Sequence, residues 1–364
     1  MTKLNKQISW ILVALFSYFT VCFAAIEPDC LIVYPEQGLQ RAKDLIIHEI
    51  NQAERNVQMS AYQMKDPDIA AALVGCTQRN VKVELMLEEN PYEHDFNRDN
   101  SQETILPKLI EAGVIIYGRP QYLKDQHSKG HYHARYILID QKRFLLTTGN
   151  FDECTFDHCR DFAVGFNRDS YPQEFDSIQT LFINDASNEP LTIPVPVSVI
   201  IGPDQQREKI ISFLNTAEKS IKLYQQYFND PVVLDALTKL IIEKRVKVEL
   251  LMMPYPTGYD KDPNIFAQDQ LKELGADVRL ILDLYGHARA IIVDNKSALI
   301  GTAQLSPPSL KENREMSLII EGSVVAQLIA QFQNDQTRSV SLEEGRKRAL
   351  EEKRDWNSFR LFVR

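Results

Sequence analysis

The sequence predicts an α/β protein of two similar lobes. Three observations predict it: the chain repeats itself, helix-like and strand-like segments alternate within each repeat, and each repeat closes on a His-x-Arg segment. The repeat is visible by direct comparison. Asp66-Pro67 recurs as Asp230-Pro231, Val81–Leu85 recurs as Val246–Leu250, and His133–Asp140 (HARYILID) recurs as His287–Asp294 (HARAIIVD). A repeated order of this length marks a duplicated unit.

The elements follow in the same order in both copies. An amphipathic helix comes first, with Leu45, Ile46, Ile50 and Ala53 in one copy and Ile210, Ile211, Leu214 and Ala217 in the other. A strand follows over Val57–Tyr62 and over Ser220–Tyr224. Asp-Pro then starts a helix, Asp68–Cys76 or Val232–Lys244, because proline suits a first helical turn. Next come a strand (Val81–Leu87; Val246–Met252), a helix closed by Gly113 or Gly275, the HAR strand, and a short strand (Phe144–Leu146; Ala298–Ile300). Alternating strands and helices imply sheets covered by helices. The proline-rich stretch Asn184–Ser198 links the copies. The expected organisation is residues 1–24 as a signal peptide or N-terminal anchor, 30–190 as the first lobe, 195–340 as the second, and 341–364 as a charged extension.

Composition bounds the function. The chain has 364 residues, 44% hydrophobic and 25% charged, which are globular values. Its net charge of −9 argues against a protein that coats nucleic acid through basic surface. Lys3 and Lys6 precede a charge-free run over Ile8–Ala24. That is the layout of a secretory signal peptide, with an uncleaved anchor as the alternative, so export to the periplasm or beyond is expected. Cys30, Cys76, Cys154 and Cys159 follow that segment. In an exported chain they predict up to two disulfides, Cys30–Cys76 and Cys154–Cys159 among the three pairings.

The two HAR segments carry the chemistry. Each has His-x-Arg, four residues, Asp, six residues, and a small polar tetrad: Thr147-Thr148-Gly149-Asn150 in one copy and Gly301-Thr302-Ala303-Gln304 in the other. On a strand, residues i and i+2 share a face, so His133 stands beside Arg135 and His287 beside Arg289. Asp140 and Asp294 fall on the other face and read as structural. If the copies pack face to face, two imidazoles and two guanidiniums surround one pocket. That set suits phosphodiester cleavage without a metal or other cofactor. One neutral histidine attacks phosphorus, a protonated one supplies the leaving group's proton, and the arginines hold the phosphoryl oxygens. Thr148, Asn150, Thr302 and Gln304 are expected to donate to the phosphate. Asp161 and Glu315, each behind an arginine, are expected to fix a histidine tautomer. His127, His131 and His133 have a metal-like spacing, but His287 has no such neighbours, so no metal site is assigned. His48, His94 and His158 belong to no pattern.

This pattern resembles the duplicated HxK-x4-D signature of the phospholipase D superfamily, with its trailing GSxN tetrad. The resemblance spans roughly Leu31–Ser339. It implies an α-β-α sandwich in each lobe, an active site at the pseudo-twofold lobe interface, a phosphohistidine intermediate, and substrates ranging from phospholipids to nucleic acids. This chain departs from the signature by having arginine in place of lysine in both copies. The expected activity is hydrolysis of a phosphodiester, with phospholipid as substrate, nucleic acid less favoured, transient membrane-surface contact, and a monomeric state. An exported nuclease and an inactive phosphate-binding scaffold are the alternatives. The tail Glu343–Arg364 reads as a solvated charged helix with a packed tail, in preference to a membrane-surface helix carrying Trp356, Phe359 and Phe362.

Overall fold

The computed structural model describes residues 25–35, 42–91, 101–253 and 262–352. The segment 1–24, His94, and the tail from 353 with Trp356, Phe359 and Phe362 lie outside the described residues.

The first lobe runs β1 (Cys30–Tyr34), α1 (Ala42–Asn51), β2 (Asn56–Ala61), α2 (Pro67–Gln78), β3 (Lys82–Leu87), α3 (Ser101–Glu111), β4 (Ile115–Tyr117), α4 (Gln121–Gln126), β5 (Tyr136–Ile139), β6 (Arg143–Thr147), α5 (Glu153–His158), β7 (Cys159–Asn167) and α6 (Pro172–Ala186). The second runs β8 (Val199–Ile201), α7 (Gln206–Leu214), β9 (Ser220–Tyr224), α8 (Pro231–Lys244), β10 (Lys247–Met252), α9 (Ile265–Glu273), β11 (Asp277–Leu280), β12 (Tyr285–Gly286), β13 (Ala290–Val293), β14 (Ser297–Gly301), α10 (Pro307–Lys311), β15 (Met316–Ile320), α11 (Ser323–Arg338), β16 (Val340–Ser341) and α12 (Leu342–Glu352).

Each lobe has its own mixed sheet. The first is ordered β1-β7-β6-β5-β2-β3-β4 and the second β16-β11-β10-β9-β13-β14-β15-β8. In both, a parallel trio (β2-β3-β4; β9-β10-β11) joins an antiparallel trio (β5-β6-β7; β13-β14-β15). The HAR strands β5 and β13 sit where the two halves of each sheet meet, pairing antiparallel with β2 and β9.

Period-2 burial explains the layering. On β5, Ile137 and Ile139 join α1 and α2 in an outer core, and Tyr136 and Leu138 face the centre. On β13, Ile291 and Val293 join the core under α7 and α8, and Ala290 and Ile292 face the centre. The central core takes side chains from both sheets and from α6 and α11, including Phe175, Phe182, Leu328 and Phe332. The lobes therefore share one apolar layer, and the site rests on its edge.

Local signals act as their chemistry requires. The Asp66 and Asp230 carboxylates each accept two backbone N–H groups at the starts of α2 and α8, with Pro67 and Pro231 at the first helical positions. Asp140 and Asp294 end the HAR strands with φ of 55° and 52°. The Asp140 carboxylate accepts the N–H groups of Glu54, Arg55 and Asn56 at 2.7–2.9 Å. Asp294 accepts those of Glu218, Lys219 and Ser220 at 2.7–2.9 Å.

Three expectations need correction. Helix α6 runs to Ala186, so the link expected from Asn184 begins inside a helix, and only its later residues connect the lobes. No Cys30–Cys76 disulfide forms: both thiols are free, Cys30 on β1 beside Arg143 and Cys76 in the last turn of α2 beside Ile50. The Cys154 side chain lies outside the described residues, and the expected Cys154–Cys159 pairing lies there with it. The extension is not uniformly solvated. Val340-Ser341 pairs with β11, Leu342 is buried, and Arg346 of α12 bonds Asp269 and Gln268.

Candidate active site

Both HAR segments open into one cavity of about 390 Å³ between the lobes. His133, Arg135, His287 and Arg289 all line it. The two guanidiniums converge from opposite lobes on one atom. Arg135 donates to the Thr148 carbonyl at 3.1 Å and Arg289 to the same oxygen at 2.7 Å. The histidines are 8% and 7% exposed, and both line that cavity.

Each imidazole takes its carboxylate from the other lobe. His133 Nδ1 lies 2.8 Å from Glu315 Oε2, and His287 Nδ1 lies 2.9 Å from Asp161 Oδ2. A carboxylate on Nδ1 requires the Nδ1–H tautomer, which leaves the Nε2 lone pair on the cavity side. That lone pair accepts from the neighbouring arginine, at 2.7 Å from Arg135 to His133 and 3.1 Å from Arg289 to His287.

Two of the expected phosphate donors do other work. The Thr148 hydroxyl donates to Asp161 at 2.6 Å, and the Thr302 hydroxyl to Glu315 at 2.6 Å. Both threonines are fully buried. They hold the carboxylates that hold the histidines, because the tetrad turns its second position away from the cavity. The fourth positions do reach it. Asn150 accepts from Arg135 Nε at 2.6 Å, and Gln304 donates to Gln226 at 2.8 Å. The leading tetrad position differs between lobes for a packing reason. A Cβ on Gly301 would come within 2.3 Å of the Met316 carbonyl, whereas Thr147 faces Tyr34 with its hydroxyl 3.3 Å away.

Several lining residues were not singled out in the sequence. Tyr62 packs edge-on against His133 at 4.8 Å, and the Arg135 guanidinium lies 5.6 Å from its ring centre. Gln226, at the equivalent place in the second lobe, accepts from Arg289 at 2.9 Å. Ser309 and Asn313 complete the shell of Glu315 at 2.7 and 3.1 Å. The usable signal was position: Tyr62 and Gln226 each stand four residues before an Asp-Pro pair.

The electrostatics differ from the expected neutral and protonated pair. Burial, and then Arg135, push His133 down to about 3. Burial, and then Arg289, push His287 down to about 4. Both rings are therefore neutral at pH 7. Burial, and then Arg289, lower Arg135 to about 9, so it keeps its charge. Burial works against the Glu315 carboxylate, but His133, Thr302 and Ser309 outweigh it and hold its pKa below the usual value. Two arginines thus balance two carboxylates in the resting site.

These shifts predict the pH dependence of stability. Histidine in the unfolded chain takes up a proton near pH 6.5, and the folded site refuses it. Stability is full above that pH and is lost as pH falls from about 6.5 toward 4, while the unfolded chain gains protons that the native chain does not. Calorimetry across this range should show Tm falling. The fall should be shallower in His133→Asn and His287→Asn; parallel curves would contradict the assignment.

Fold and site together define a two-lobed α/β protein with a paired His–Arg centre, of the phospholipase D class. The family described as "Cardiolipin synthase, PLD-like domain" matches residues 46–181 and 210–336, and the chain belongs to it. A cardiolipin synthase of Clostridium perfringens strain 13 is 25% identical over 349 residues, covering 84% of this chain and 71% of that protein. One from Oceanobacillus iheyensis is 22% identical over 331 residues, covering 82% of this chain and 67% of that protein. Among solved structures, phosphatidylserine synthase of Haemophilus influenzae Rd KW20 shares the fold with a TM-score of 0.65 at 13% identity, covering 91% of this chain and 94% of that one. Polyphosphate kinase of Porphyromonas gingivalis gives 0.61 at 15% identity over 89% of this chain, which spans 55% of the kinase.

Proposed function

We propose that this chain is a phospholipid-processing phosphodiesterase that works through a covalent phosphohistidine. The observation that carries the proposal is the pair of neutral imidazoles whose Nε2 atoms face one cavity, each beside a guanidinium. One Nε2 attacks phosphorus as the bond from phosphorus to the leaving alkoxide breaks. The second histidine gives that oxygen its proton, then takes one from the incoming water or alcohol, which releases the first histidine. The arginines shift from Nε2 to the phosphoryl oxygens, where charge grows.

The charge balance supports this sequence. A phosphodiester adds one negative charge to a site whose arginines and carboxylates cancel, so substrate binding favours uptake of one proton by an imidazole. The acid is made on binding and is absent from the resting site.

Family membership supports phospholipid as the substrate, and the cardiolipin synthase relatives favour an alcohol as well as water as acceptor. The cavity supports entry of the head group alone. Among the described residues, its walls carry polar side chains, Tyr62, Tyr227, Tyr285, Cys159 and two prolines, and no aliphatic side chain to receive an acyl tail. The leader-like sequence of residues 1–24 supports an exported location, which would bring the enzyme to membrane phospholipid.

The test is product analysis after incubating the full chain with phosphatidylglycerol vesicles, and separately with single- and double-stranded DNA, with and without EDTA. Released head group or a transferred phosphatidyl product, unaffected by EDTA, is the expected result. DNA cleavage with intact lipid would replace this reading with a nuclease.

A further inference from the structure

Behind each His–carboxylate pair lies a buried arginine that the proposed chemistry does not use. Arg314 precedes Glu315, and Arg160 precedes Asp161; they are 4% and 3% exposed. Each side chain leaves its own lobe. Arg314, from the second lobe, reaches Asp185 on α6 of the first at 3.2 Å and the Tyr122 hydroxyl at 2.5 Å. Its other terminal nitrogen donates to the Gly202 carbonyl at 2.6 Å. Arg160 crosses the opposite way. It meets Asp335 on α11 with two donors at 2.7 and 2.9 Å, and donates to the Tyr34 carbonyl at 2.5 Å.

The backbones of the same residues hold the histidines. The N–H of His133 donates to the Arg314 carbonyl at 2.8 Å, and the N–H of Arg314 donates to the His131 carbonyl at 2.9 Å. The N–H of His287 donates to the Arg160 carbonyl at 3.2 Å. Tyrosines tighten both anchors. Tyr132, adjacent to His133, donates to the second oxygen of Asp185 at 2.8 Å, and Tyr224 donates to Asp335 at 2.8 Å. In each Arg-acid dipeptide, the arginine backbone therefore fixes the histidine backbone and the acid side chain fixes the histidine ring, while the guanidinium pins the dipeptide to the lobe that owns the histidine. A buried ion pair is weak evidence for stability, since apolar replacement often serves as well. Two pairs crossing in opposite directions, each one residue from the carboxylate that orients an imidazole, instead define a register.

We propose that Arg314 and Arg160 are positioning residues, struts that set Glu315 against His133 and Asp161 against His287 across the lobe seam. Lysine would supply the charge, but not the fork that spans a carboxylate and a carbonyl at once.

The experiment pairs Arg314→Met with Asp185→Asn, which leaves no lone buried charge, and adds Arg314→Lys as the conservative variant. Far-UV circular dichroism checks folding. The main readout is ¹⁵N NMR of the His133 ring from pH 4 to 8. His133 faces Glu315, Arg135, Arg289 and Tyr62, and none of these is altered. In the parent, His133 should stay a single Nδ1–H tautomer across the range. The double variant should show mixed tautomers, with Arg314→Lys between the two. On whichever phospholipid the parent turns over, kcat should fall about 10–100-fold, as expected for a small misplacement of a reacting group, while KM stays within about twofold. A folded double variant with an unchanged tautomer would overturn the strut; if the double variant does not fold, the same readout on Arg314→Lys decides. The kinetic arm rests on the proposed function, and the NMR arm does not. A parent without activity would sink the function alone.

Discussion

Replacing His133 or His287 by asparagine should each lower turnover by roughly 10³-fold or more, with little change in fold. Asparagine can still donate to Glu315 or Asp161, so the carboxylate keeps a partner. It offers neither a lone pair that attacks phosphorus nor a proton that titrates. The variants should differ in kind. On the proposed mechanism, loss of the attacking histidine should leave no covalent species, whereas loss of the proton-carrying histidine should leave a phosphoryl group on the other ring with substrates whose leaving group needs no proton. Mass spectrometry of acid-sparing quenches distinguishes them and assigns the roles. Retention of a tenth of parental activity in both variants would end the assignment of these histidines to the reacting centre.

The second large effect concerns stability. Asp140→Ala should cost about 2–4 kcal/mol, because three backbone N–H groups at the start of β2 lose their acceptor together. Asp294→Ala should cost a similar amount by the same geometry around Ser220. Burial opposes both charges, but the backbone N–H groups prevail and hold both carboxyls below the usual aspartate value. With folded pKa values lowered, their contribution is present at neutral pH and lost as pH falls through the acid range. Urea unfolding at pH 7 measures the cost. A loss under about 0.5 kcal/mol for either variant would remove the anchoring role. KM should not move, since neither side chain lines the cavity.

Much of the fold was legible because the chain repeats. The spacing predicted Ser220–Tyr224 as a strand, and β9 has those bounds; Val81–Leu87 and Val246–Met252 each differ from the observed strand by one residue. The Asp-Pro starts worked because capping is local chemistry. The strands β1, β7, β8 and β15 were not anticipated. β1 and β8 find their partners far along the chain, in β7 and β15, and short apolar runs carry no period of their own. In the site, the His-x-Arg pairs were legible from strand alternation. Which lobe supplies each acid was not, since that depends on how the sheets face each other. The threonines Thr148 and Thr302 were misjudged for the same reason: a hydroxyl donates equally well to phosphate or to a carboxylate, and only packing decides. The neutral state of both rings needed burial and the distance to Arg135 and Arg289, neither of which spacing reveals. The cysteines misled because an even count after a leader-like segment predicts bridges that the packing around Cys30 and Cys76 does not form.

The exchange of carboxylates between lobes has a consequence for the chain as an inherited unit. Cut between Asn188 and Pro196, the polypeptide would yield two fragments, each with an orphaned imidazole and a stranded acid. Only their reunion restores two working centres, and a tether makes that reunion intramolecular. Substitutions near one acid are therefore answerable to the ring in the other repeat, so the two repeats are free to diverge at their outer surfaces and must drift in concert at the seam.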